Sequence, residues 1–140
     1  MKAKFYVVAV IAVSSLVSTR PVTAHHSLNS EFDTKKTVTF KGVITKVEWI
    51  NPHIFLYVDV NKDGGGVTEW AVETFPPNHM RSRYGLTKAV LAGDLAKKEL
   101  VTIELQPAAN GKQLGWLKSI TYPDGHEIRI VVEAGTPEAR

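Results

Sequence analysis

The sequence predicts an all-β, mainly antiparallel fold: a small OB-like barrel, or alternatively a roll, of five or six strands with a short helix after the third strand. Three observations carry this. Apolar and polar residues alternate with period two through most of the chain after residue 37. Turn-forming clusters, NKDGGG at residues 61–66 and PDG at residues 123–125, separate the alternating runs. The period turns helical only once, between Pro76 and Asp94.

The amino-terminal stretch stands apart from that pattern. Lys2 and Lys4 precede an uncharged apolar run, Phe5 to Val17, and Val22 and Ala24 occupy the small-x-small positions of a cleavage site. This is the build of a secretory signal peptide over residues 1–24. The run is too short to span a bilayer core of ~30 Å, which takes about 20 residues. Cleavage after Ala24 makes His25 the new amino terminus of a periplasmic or secreted protein with no membrane insertion. Of the 17 Lys+Arg, Lys2, Lys4 and Arg20 leave with the leader, so 14 remain against 14 Asp+Glu. The remaining chain is near neutral, which argues against nucleic-acid binding. With no cysteine, neither a disulfide nor a lipidated start is available.

The remaining residues make one domain. Residues 25–36 read as an irregular lead-in that Leu28 and Phe32 could pin to the body. Residues 37–133 form the barrel-like domain and residues 134–140 a flexible tail.

Each strand has its own signature. In TVTFKGVITKVEWI, residues 37–50, Val38, Phe40 and Ile44 alternate with polar neighbours, and then the phase shifts to Val43, Val47 and Trp49. A phase change beside Gly42 predicts a bulge or a sharp coil there. In the next run Ile54, Leu56, Val58 and Val60 face one way and His53, Phe55, Tyr57 and Asp59 the other. VTEWAVETF, residues 67–75, is a third strand whose inward face is ambiguous. Met80 begins a short helical segment broken by Gly85. Leu86, Val90 and Leu91 keep helical spacing up to a Gly93-Asp94 end. ELVTIELQ, residues 99–106, and QLGWLKSITY, residues 113–122, are the fourth and fifth strands, and PDG turns the chain into a last hairpin strand, HEIRIVV.

The usual catalytic signatures are missing: no serine stands in a G-x-S-x-G elbow, and GGG at residues 64–66 lacks the lysine of a phosphate loop. Glu69 and Glu73 share a strand face about 13 Å apart by strand rise. That is too far for a carboxylate pair, and both read as solvated. No catalytic constellation results, and a non-enzyme is expected.

The five histidines carry the sharper chemistry. A mature His25 offers copper its α-amine and its ring nitrogen in one chelate. A second imidazole would complete a three-nitrogen site of the kind called a histidine brace. Nitrogen ligands suit Cu(II), which heads the affinity order of the divalent first-row ions. His26 and His53 are the helpers, so the candidate metal residues are His25, His26 and His53, with copper as the candidate cofactor. The ordinary alternatives are a polar start after a leader for His25 and His26, and a turn-capping role for His53. His79, after two prolines, reads as an exposed helix-start residue, and His126 as an exposed residue that competes to be the second arm. His25 precedes the first strand and His53 follows it, so the lead-in would have to double back along the barrel to join them.

Several pieces together resemble one family: AHHS at Ala24–Ser27, FD at Phe32-Asp33, GVITKVEWINPH at Gly42–His53, WAVE at Trp70–Glu73, AGD at Ala92–Asp94 and PDG at Pro123–Gly125. The chain resembles a family of small exported bacterial proteins classed as a domain of unknown function. W-x-N-P-H, Trp49–His53, is the most specific piece. The departure is Gly85-Leu86, where members carry Gly-Trp. The resemblance implies an exported, single, small β-rich domain and no activity. Two readings of the residues stand: copper binding or metal handling through His25, or a non-catalytic module. The module would bind a protein partner or small ligand on the face of Phe55, Tyr57, Trp70 and Trp116. An oxidative copper enzyme is a weaker third.

Overall fold

The computed structural model describes residues 28–132. The leader, His25, His26 and the last eight residues lie outside the described residues, as do the expectations attached to them. Six strands follow in chain order: β1 (Val38–Glu48), β2 (Ile54–Asn61), β3 (Val67–Thr74), β4 (Leu100–Pro107), β5 (Leu114–Thr121) and β6 (Glu127–Arg129). A helical turn, α1 (Leu28–Glu31), precedes them, and α2 (Pro77–Tyr84) and α3 (Lys88–Lys97) lie between β3 and β4.

The strands close into a five-stranded barrel in the order β3-β2-β1-β4-β5, with β6 added beyond β5. All pairings are antiparallel except the one that closes it: Ala71–Glu73 of β3 run parallel to Leu114–Trp116 of β5. This is the OB-like arrangement, with helices after the third strand.

β1 belongs to both halves of the wall. Val38 to Val43 pair with β4, and Val43 to Glu48 pair with β2. The crossover needs room, and Gly42 supplies it. A Cβ there would lie 2.6 Å from Val58 Cγ1 and 2.7 Å from the Asp59 carbonyl oxygen. The bulge expected beside Gly42 falls slightly later. Ile44 pairs with Val58 and Lys46 with Tyr57, so Thr45 is the extra residue. The extra residue flips the side-chain phase, which brings Val47 back to the core side and accounts for the shift visible in the sequence.

The core is set by alternation. Ile54, Leu56 and Val58 are fully buried and face Val72, Ile103, Leu105, Leu117 and Ile120 within one cluster. The helices add Met80, Leu86 and Leu91, each fully buried.

The helical segment departs from expectation at both ends. α2 starts at Pro77 rather than Met80, because proline fits the first helical position, where no amide donor is needed. It ends at Gly85, whose φ of 66° is left-handed. Thr87 then caps α3, its Oγ1 accepting a hydrogen bond from the Val90 amide at 3.2 Å. Gly93-Asp94 does not end α3, which continues to Lys97. Asp94 is held inside the helix by a use elsewhere, accepting a hydrogen bond from the Tyr122 hydroxyl at 2.9 Å.

Candidate functional site

The candidate site lies on the outer wall where β2, β3 and β5 meet. Opposed residues on neighbouring strands point to the same side of a sheet. Phe55 opposes Glu73, and Glu73 opposes Trp116. Two residues along, on the same side, come His53 and Phe75. One patch of wall thus collects His53, Glu73, Phe75 and Trp116 from three strands. The core residues Ile54, Leu56 and Val72 point the other way.

His53 and Glu73 are joined directly, His53 Nδ1 to Glu73 Oε1. The Glu73 side chain is only 8% exposed and that of His53 27% exposed, so the acid lies beneath and the imidazole at the mouth. Asn51-Pro52, a cis peptide, delivers the chain to His53. The walls are aromatic. The Trp116 ring meets His53 edge-on, centroids 5.5 Å apart, and meets Phe75 edge-on at 5.2 Å. His79 stacks on the far side of Phe75 at 4.2 Å. The indole nitrogen of Trp116 and Nε2 of His79 are both buried without a hydrogen-bond partner.

The lead-in covers this patch. Leu28 and Phe32 are buried, and the Phe32 ring lies 6.0 Å from that of Trp116. The Phe32 amide donates to the Leu28 carbonyl at 2.8 Å, the Asp33 amide to Pro107 at 2.8 Å and the Ala109 amide to Glu31 at 2.9 Å. The chain just before β1 is therefore laid against the β4–β5 connection and on to Trp116.

Several expectations need correction. Glu73 is not solvated surface: it is buried opposite Trp116 of β5, and it differs in this from Glu69 on the same strand. His79 is not an exposed helix-start residue but half-buried against Phe75. His126 is exposed, as expected, and stacks on Tyr122 far along the chain from this patch. The aromatic binding face does not exist as one surface. Trp70 opposes Val58 and packs on Phe40, centroids 5.2 Å apart, on the opposite side of the wall from Phe55 and Tyr57. Trp116 is buried at 1% exposure, and Lys46 lies over the Tyr57 ring at 4.5 Å. Lys46 also reaches Glu48 at 2.6 Å, and that hydrogen bond raises the lysine pKa and lowers that of the carboxylate.

Of the three candidate metal residues, His53 alone is described. Among the described residues no three His, Asp or Glu side chains group tightly enough to hold a metal ion. No described helix is long and apolar enough to cross a membrane.

A family model described as "Family of unknown function (DUF6152)" matches residues 12–119. No curated protein matches the chain. A crystal structure of the mitochondrial single-stranded DNA binding protein Rim1 from S. cerevisiae is similar at 13% identity and a TM-score of 0.41, covering 63% of this chain and 94% of that one.

Proposed function

Because this chain belongs to a family of unknown function, DUF6152, its role has to be argued from its own site, and we propose that it is an exported protein that binds Cu(II) at the outer wall around His53. The amine and ring of His25 form the chelate, His53 is the second arm, and His26 lies within reach as an alternative ligand. The observation that carries the reading is the grip of Glu73 on His53 Nδ1. Metal-binding histidines almost always give their second ring nitrogen to a carboxylate, a carbonyl or water, which fixes the ring and its tautomer. With Nδ1 engaged, His53 meets a metal through Nε2.

The lead-in supports it. The distance between His25 and His53 along the sequence suggested a long detour past β1. Trp116, which pairs with Gln106 beside the start of β1, also touches His53, so the described end of the lead-in and His53 share one neighbour. Phe32 packs against that same Trp116 ring, and Leu28 is buried one helical turn before it. From Leu28 back to His25 is a reach of up to ~10 Å. No thiolate is present, and nitrogen donors suit Cu(II).

The test is a Cu(II) titration, by calorimetry and electron paramagnetic resonance, on protein starting at His25 and on protein with one alanine added ahead of it. The extra residue moves the amine out of the chelate and leaves every imidazole in place. The expected result is a sharply weaker site in the extended form. Equal affinity in the two forms rules the amino-terminal site out.

A further inference from the structure

We propose that the first half of β3, Val67 to Trp70, is a docking edge for a second copy of this chain, the two copies pairing antiparallel about a two-fold axis at Thr68. The inference is independent of the copper reading above.

The edge follows from the way the barrel closes. β3 pairs with β2 along its whole length, Val67 to Thr74, with no slip in register. Its pairing with β5 covers only Ala71 to Glu73. The backbone groups of a strand point alternately to either side. The Ala71 amide donates to the Gln113 carbonyl at 3.0 Å, on the side away from β2. Glu69 and Val67, two and four residues earlier, point the same way. Their amides and carbonyls have no strand partner on that side among the described residues. Val67 is 53% exposed, and Glu69 is exposed too.

The barrel treats its other edge differently. Just past β6 the Val131 amide donates to the Tyr84 hydroxyl, and that hydroxyl donates to the Val131 carbonyl, both at 3.0 Å. One tyrosine thus occupies the donor and the acceptor that a further strand would use. Open edges pair with other chains, and proteins blunt them with proline, bulges or covering groups. Val67 to Trp70 contain neither a proline nor a bulge, and Val, Thr and Trp favour strands.

The residues of the edge select a second copy as the occupant. Only Val67 and Glu69 can exchange hydrogen bonds across it, so a two-fold axis falls at Val67, Thr68 or Glu69. At Glu69 two carboxylates would face each other, which is unfavourable. At Val67 each Glu69 would meet the partner's Gly65, whose amide is already given to Lys62. At Thr68 each Val67 meets the partner's Glu69, and the free groups of both copies are all used. That register sets Thr68 against the partner's Thr68 and Trp70 against the partner's Gly66. A threonine pair and an aromatic ring over a glycine are both favourable across strands. No atom lies within 4 Å of where a Cβ would stand at Gly66, so the indole has room. The charges agree as well. No like charges face each other, and the turn beyond Gly66 brings Asp63 toward the partner's Lys112, which precedes Gln113 beside Ala71.

The experiment uses the protein starting at His25, with a chelator present so that no metal bridges copies. A four-residue pairing is short, so the dimer is weak and forms with rising concentration. Sedimentation and native mass spectrometry from micromolar to millimolar protein measure it. Val67→Pro removes an amide that faces only the partner, at the first residue of an edge strand, where proline is tolerated. Two hydrogen bonds are lost per dimer, and the dissociation constant should rise about tenfold. Thr68→Lys and Thr68→Glu each put like charges face to face on the axis and should dissociate the dimer. An equimolar mixture of the two variants should associate again, as a heterodimer. In the wild type, hydrogen exchange at the Val67 and Glu69 amides should slow as concentration rises. A protein that stays monomeric at millimolar concentration overturns the proposal. So does a dimer that Val67→Pro leaves unchanged, a mixture that associates no better than either variant alone, or exchange at Val67 and Glu69 that ignores concentration.

Discussion

Phe32 and Trp116 form a tilted ring pair, centroids 6.0 Å apart, that fastens the chain ahead of β1 to the barrel seam. Phe32 is 2% exposed. Phe32→Ala should therefore cost about 3–5 kcal/mol, the range of a buried phenylalanine. Urea unfolding measures it. A loss below about 1 kcal/mol would mean that the lead-in merely rests on the barrel.

Leu56 tests the interior. It is fully buried, with Ile54 and Val58 on either side. Leu56→Ala should lower stability by about 2–5 kcal/mol, read from the shift in the denaturant midpoint at unchanged slope.

Gly42 and Gly115 test the close approaches of strand to strand. A Cβ at Gly115 would lie 2.4 Å from Leu105 Cδ1 and 2.9 Å from the Gln106 carbonyl oxygen. Gly42 is blocked in part by backbone too. Alanine at either position should destabilise by about 1–3 kcal/mol through overpacking. Thermal unfolding would show a lowered midpoint; an unchanged one at both would mean that the strands separate freely.

Tyr122 gives a prediction in pH. Burial first, and then its hydrogen bond to Asp94, push the phenol well above its usual pKa. The folded state holds the proton more tightly than the unfolded state. The contribution is then fully present below pH ~10 and is lost as the pH climbs from there toward the folded value. The wild-type protein should lose stability along an alkaline limb above that point, and Tyr122→Phe should have a flatter one. Stability curves of the same slope for both proteins would assign the alkaline loss to other groups.

The sequence made the walls of the barrel legible and its seam illegible, for a physical reason. Alternation in Ile54, Leu56 and Val58 reports a strand with one dry face, which is a local property. The phase slip in β1 was readable too, although Gly42 marked the crossover and Thr45 the bulge. Glu73 was unreadable because its burial comes from β5, a strand far along the chain. By period alone it matches Glu69, which stays exposed. His79 differs from the exposed reading for a local reason, since Phe75 and Tyr84, close to it in the chain, flank its ring in a way that its helix-start position does not announce. The aromatic face failed because period two separates Trp70 from Tyr57 by an odd step once β2 and β3 are in register. A histidine just after N-P and an acid of the same face on the next strand were the available signals, and only the register joins them.

The parallel seam between Ala71–Glu73 and Leu114–Trp116 also sets an order in time. The β2–β3 hairpin closes a short loop, whereas the seam waits for β4 and the turn after it to arrive. Pairing of distant segments is the slow part of folding. His53 and Glu73 can meet early, but Trp116 and the anchored Phe32 reach them only at the end. The patch of His53, Glu73, Trp116 and Phe32 is therefore completed last, and its completion reports that the whole barrel has formed.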